Sequence, residues 1–158
     1  MADPQDFRDV AVVLLREAFE GRAEGNDYTW FVEGKEGIFD ALASVDAETA
    51  SRRPFPKSPS LAAHAYHVLY LLTWANNWHG GPEPEGDWEA SWTKQKATPH
   101  EWASLREKIR TQYESFIAWF STNQDWSPEQ IRLSTLANLP HVAYHLGAMR
   151  QIIHQTKR

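Results

Sequence analysis

Apolar residues recur at helical spacing along most of the chain. From Trp102 they fall at Leu105, Ile109, Tyr113, Phe116 and Phe120, one buried face of a helix that ends near Ser121. Arg106, Glu107, Lys108, Arg110 and Glu114 lie between them and suit its solvated side. A shorter stripe, Phe7, Val10, Val13, Leu14, Ala18 and Phe19, predicts an N-terminal helix stopped by Gly21 and Gly25. The segment Leu61 to Ala75 is different, because only His64, His67 and Thr73 interrupt leucine, alanine, valine, tyrosine and tryptophan. A helix that is apolar nearly all round is one enclosed by other helices, and this run is shorter than the ~20 residues a membrane span needs.

Three Ser/Thr-Pro pairs punctuate these segments, each an N-cap residue followed by the residue best suited to the first helical position. Ser58-Pro59 predicts the start of a helix running to about Trp78. Thr98-Pro99 predicts another, in which Glu101 completes a capping box. Ser127-Pro128 predicts the last, with Gln130 placed to reach back to the Ser127 N–H. Glu36 to Leu42 and a turn starting at Asp46-Ala47-Glu48 read as shorter helical pieces; no stretch has clear strand alternation, although Tyr28 to Val32 suits extended backbone. From His79 to Ala97 the chain carries Gly80, Gly81, Pro82, Pro84 and Gly86, which predicts a long irregular loop, a frequent seat of function. The expectation is therefore one all-α domain over residues 1–158, with four main helices and a long loop between the second and third.

Composition narrows the function. A chain of 158 residues is one domain's worth, and its 42% hydrophobic content is that of a folded protein. A formal charge of −5 disfavours nucleic acid as a partner, since phosphate backbones call for a basic surface. No cysteine is present, so any metal must be held by nitrogen and oxygen. The first residues, Met1 to Asp6, carry acids where a secretory leader carries positive charge, which with the missing membrane span predicts a cytoplasmic protein.

The candidate chemistry lies in the histidines. His141 and His145 are one helical turn apart, which places both imidazoles on one face with Cβ atoms about 5–6 Å apart, close enough to share an ion. Such a pair also arises on ordinary helices. His67 sits mid-way along the most apolar helix, where a buried imidazole must find a hydrogen bond or a metal. His64, one turn earlier, is a neighbour of the site, a hydrogen-bond partner or a substitute ligand. His79, His100 and His154 are most simply solvated.

The run His141-Val142-Ala143-Tyr144-His145-Leu146-Gly147-Ala148-Met149-Arg150-Gln151 resembles the last-helix signature of the DinB-like proteins, the DinB/YfiT superfamily of metalloenzymes. Ser60 to Val68 is similar to the second-helix pattern of that family, whose final histidine is its first metal ligand. The resemblance implies a four-helix bundle with up-down-down-up topology, often dimeric. It further implies that His67, His141 and His145 hold one divalent ion, nickel or zinc, with water completing the shell. One departure stands out: Pro140 directly precedes His141 and predicts a break near Leu139. Gly147 and Ala148 would let a neighbouring helix approach closely, and Arg150 would contact a ligand or pair with a charge on another helix.

Three imidazoles leave a coordination position open, the arrangement of catalytic rather than structural zinc. That position can activate water, or the thiolate of a small-thiol co-substrate, so the resemblance implies hydrolysis of, or S-transfer to, a small molecule. Among Glu17, Asp27, Glu33 and Asp40 nothing in the spacing selects a general base. Trp74, Trp78, Trp88 and Trp92 read either as a pocket or lid over the ion or as ordinary anchoring, and Tyr144 as a further pocket residue. The competing reading is a helical stress or interaction protein in which the metal only staples two helices, its fourth position closed by a protein donor such as His64.

Overall fold

The computed structural model describes residues 4–79, 81–123 and 125–157. Of the N-terminal run Met1–Asp6, Met1 to Asp3 lie outside the described residues, as do the loop residue Gly80, Gln124 and Arg158. In chain order the helices are α1 (Pro4–Glu20), α2 (Ile38–Ala43), α3 (Ala47–Ser51), α4 (Leu61–Trp78), α5 (Pro99–Thr122) and α6 (Glu129–Thr156), with a 3-10 helix at Ala90–Trp92. Among the described residues there is no strand, and 28–32 is irregular. No described helix is long and apolar enough to cross a membrane.

The most apolar helix occupies the centre. α4 packs against α5, α6, α3 and the 3-10 helix, which is why Leu61, Ala62, Ala65, Val68, Leu71 and Leu72 are buried on different sides of it. The predicted α5 stripe from Trp102 to Phe120 is buried residue for residue. Trp102 ties it to the turn before α3 by donating from Nε1 to the Val45 carbonyl at 3.1 Å, and the Tyr113 hydroxyl donates to Glu20 on α1 at 2.6 Å. Both arms of the Thr98–Glu101 capping box form, and Asp46 caps α3 by accepting from the Thr49 N–H.

Four expectations are corrected. α4 starts at Leu61 with Ser60 as its cap, accepting from the Ala63 N–H, while the Ser58 hydroxyl turns back to the Phe55 backbone. Ser60 wins because the later loop holds it: its N–H donates to Gln95 Oε1 at 3.0 Å and its hydroxyl to the Gln95 carbonyl at 2.6 Å. α6 starts without a side-chain cap, since the Ser127 hydroxyl is given to Asp125 and Arg132 bonds the Trp126 and Ser127 carbonyls. α6 also runs unbroken through Pro140, carried by packing on α1, α2, α3 and α4. Finally, the buried stripe of α1 is Ala11, Leu15, Ala18 and Phe19, leaving Val10 60% and Val13 49% exposed. The small Ala11 lets α1 lie close to its neighbours, and bulk alone misplaces the face.

Glu17 organises the segment after α1. Its carboxylate accepts from the backbone N–H groups of Trp30, Phe31 and Val32 at 2.7, 2.7 and 2.8 Å. Burial by itself would raise this carboxyl, and the three hydrogen bonds outweigh it, so the group sits below its ordinary value. The turn at Gly21 (φ 81) packs against Gly37, where a Cβ would meet the Phe19 carbonyl at 2.5 Å. Glu17 is thus committed to the fold rather than to catalysis. Glu17→Ala removes the acceptor for three N–H groups and is expected to cost about 3 kcal/mol in urea unfolding, with loss of amide-exchange protection at residues 30–32.

Candidate metal centre

α4 and α6 lie side by side, and their facing turns bring four imidazoles together. His67 Nε2 is 3.2 Å from His141 Nε2. His145, 1% exposed, buries an Nε2 that has no hydrogen-bond partner. One ligand atom from each of His67, His141 and His145 lies within 4.8 Å of the others. Nitrogens about 2.0–2.1 Å from a tetrahedral ion stand roughly 3.3 Å apart, so one pair is at coordination spacing and the third need move at most about 1.5 Å. The residues fit a divalent ion of borderline softness.

His64 has a different part. Its Nδ1 is 3.0 Å from His145 Nδ1, so one of the two donates and the other accepts. A proton on His145 Nε2 would be a buried donor with nothing to bond, whereas a proton on its Nδ1 makes the bond to His64 and leaves Nε2 as a bare lone pair. His64 is the hydrogen-bond partner of His145, a candidate ligand, and is not itself in the group that could hold an ion. Among the described residues, the group that could hold an ion consists of His67, His141 and His145.

The long segment between α4 and α5 folds over this cluster. Trp92 stacks on His67 with centroids 4.1 Å apart at 19°, and meets His64 edge-on at 5.1 Å. Trp88 lies 5.9 Å from His67 and 6.4 Å from His141. Behind it, Tyr70 and Trp74 pack at 5.0 and 5.7 Å, and Trp78 stacks on Trp74 at 5.7 Å. Gly86 permits the fit, because a Cβ there would stand 2.5 Å from the Tyr70 hydroxyl. Of the four tryptophans, Trp88 and Trp92 therefore cover the imidazoles, while Trp74 reaches them only through Trp88.

One residue at the centre has no counterpart in the sequence reading: the Ser91 hydroxyl is 2.7 Å from His67 Nδ1. Its signal was Asp87, which caps the 3-10 helix by accepting from the Ala90 N–H at 2.8 Å and marks a turn inside an apparently shapeless loop. Other candidates lie elsewhere. Tyr144 is 68% exposed and touches the cluster only edge-on at His145, at 5.3 Å. Arg150 lines a surface cavity of about 470 Å³ with Glu36, Ser44 and Lys157. A Cβ on Gly147 would meet nothing within 4 Å, so no helix approaches closely there. His79 is not simply solvated: it stacks on Trp119 at 4.8 Å and 21°. Asp27, Glu33 and Asp40 are exposed.

Burial holds the imidazoles neutral. It is the first cause that lowers His64 to about 4, and with the neighbouring histidines it brings His67 to about 4 and His145 to about 3. His141 is lowered by burial as well. Neutral imidazole is the form that ligates metal. No family model, curated protein or solved structure matches the chain.

The depressed values carry a sign. The unfolded chain binds protons on these histidines near pH 6.5 and the metal-free folded chain does not, so folding stability is complete above that pH and declines as pH falls toward 4. In the presence of a chelator the urea midpoint should fall steadily from pH 7 to pH 5. A flat profile over that interval would mean the imidazoles are solvated.

Proposed function

We propose that the chain is a metal-dependent enzyme of the DinB-like type, a four-helix bundle of α1, α4, α5 and α6 in which His67, His141 and His145 hold one divalent transition ion. The single observation that carries this reading is the buried, partnerless Nε2 of His145 beside the closely spaced Nε2 atoms of His67 and His141. Buried polar atoms in native proteins are almost always satisfied, and an orphan lone pair aimed into a cluster of imidazoles is satisfied by an ion. The resemblance of the His141–Gln151 run to the DinB-like signature, and the long segment between α4 and α5, support the same family.

The number of donors favours an enzyme over a staple. A structural site is closed by a fourth protein ligand. Among the described residues no fourth histidine, aspartate or glutamate joins the group, and His64 is occupied with His145. When bound, the ion would supply Lewis acidity and acidify a water or small thiol at the open position. The chain's own contribution is to hold three neutral imidazoles in place, to orient His145 through His64, and to shield the cluster with Trp88 and Trp92. The substrate is then a small molecule, acted on by hydrolysis or thiol-dependent S-transfer, with nickel or zinc as the ion.

Protein purified without a histidine tag should carry about one transition metal per chain by elemental analysis. His67→Ala, His141→Ala and His145→Ala should each lose most of it while keeping the far-UV circular dichroism of the wild type. A wild type that takes up neither added nickel nor added zinc overturns the reading. Because Trp92 stacks directly on a ligand, nickel should quench the intrinsic fluorescence, and Trp92→Phe should lose the greater part of that quench.

A further inference from the structure

We propose that Ser91 is a positioning residue for His67: it selects the tautomer protonated on Nδ1 and so presents Nε2 as a bare lone pair to the ion. The inference follows from counting protons. A serine hydroxyl has one hydrogen to give. The backbone bonds of the turn run from the Ser91 N–H to Asp87, from Trp92 to Glu89 and from Thr93 to Ala90, which leaves the Trp88 carbonyl to the Ser91 hydroxyl, 2.6 Å away. With its hydrogen spent there, Ser91 Oγ can only accept at its 2.7 Å contact with His67 Nδ1, so that nitrogen carries the proton. A neutral imidazole has a single N–H, and Nε2 is left bare, facing His141 Nε2 at 3.2 Å.

The same turn fixes the ring in a second way. Trp92, the next residue, stacks on the His67 face at 4.1 Å. Ser91 sets the rotation of the imidazole in its plane, and Trp92 sets the plane. Two consecutive residues of a three-residue helix therefore grip one ligand, and Asp87 holds that helix by capping Ala90. A bond that prepares His67 for metal also ties the 88–92 turn to the centre. By linkage, whatever Ser91 adds to metal affinity the bound metal returns as added stability of that turn.

The functional meaning of this bond rests on the metal reading above, but the tautomer is a property of the metal-free chain and is measurable alone. Long-range ¹H–¹⁵N correlation of the imidazoles, assigned with His67→Ala, shows which nitrogen is protonated. Zinc affinity is read in parallel by competition with a chelator. His67 should be protonated on Nδ1 in wild type and in Ser91→Thr, which keeps a hydroxyl, and should shift toward Nε2–H in Ser91→Ala. Zinc affinity should fall about 10–100-fold in Ser91→Ala and be largely retained in Ser91→Thr. A wild-type spectrum with the proton on Nε2 overturns the proposal without any variant. So does a Ser91→Ala protein that keeps both tautomer and affinity. If the tautomer switches in Ser91→Ala while no form of the protein binds zinc, the metal reading fails and the positioning role stands.

Discussion

An imidazole excluded from water has two nitrogens to satisfy, and the interface between α4 and α6 is built around that requirement. Val68, Leu71 and Leu72 on α4 and Val142, Leu146 and Met149 on α6 make the surroundings apolar, so the histidines among them stay neutral and each ring nitrogen needs a partner. Serine, a neighbouring imidazole and a facing Nε2 supply most of these partners. His145 Nε2 is left over. An unsatisfied buried polar atom costs about 1–3 kcal/mol. The metal-free fold carries that cost where nitrogens of His67, His141 and His145 gather, so an ion held there would relieve it.

The rest of the architecture serves this interface. α4 has to be apolar on several sides because it packs against α3, α5 and α6 at once. The segment from Asp87 to Thr93 gains its order from capping by Asp87 and from ring stacking rather than from its own periodicity. Its lack of large helices is what allows Trp88 and Trp92 to be laid over the imidazoles.

Much of this was legible in the residues. The α5 stripe, the Thr98 capping box, the apolar character of α4 and the face shared by His141 and His145 are local properties, fixed by helical geometry within a few turns. What was not legible depends on partners distant in sequence. Ser60 rather than Ser58 caps α4 because Gln95 reaches it from 35 residues away. The buried face of α1 follows Ala11 and Leu15 because its neighbours lie there, and Val10 and Val13 mislead by their size. For Ser91 the residues offered only Asp87 as the mark of a turn, and nothing local announces that the hydroxyl four residues on meets an imidazole on another element. Tyr144 and Arg150 belong to a recognisable run, yet helical rotation turns Tyr144 outward and Arg150 toward a different cavity.

Pro140 makes the three imidazoles unequal. α6 is continuous across it, but a proline has no N–H, so the Leu136 carbonyl lacks its partner one turn below and the ladder is missing a rung next to His141. His145 stands a turn further on in intact helix and fully enclosed, and His67 is gripped from two directions by the turn at Ser91 and Trp92. Of the three imidazoles, His141 is thus the one beside a missing backbone bond. Were the three to hold an ion, His141 would be the donor with the least support from its own helix, and a change in ionic radius would be taken up there.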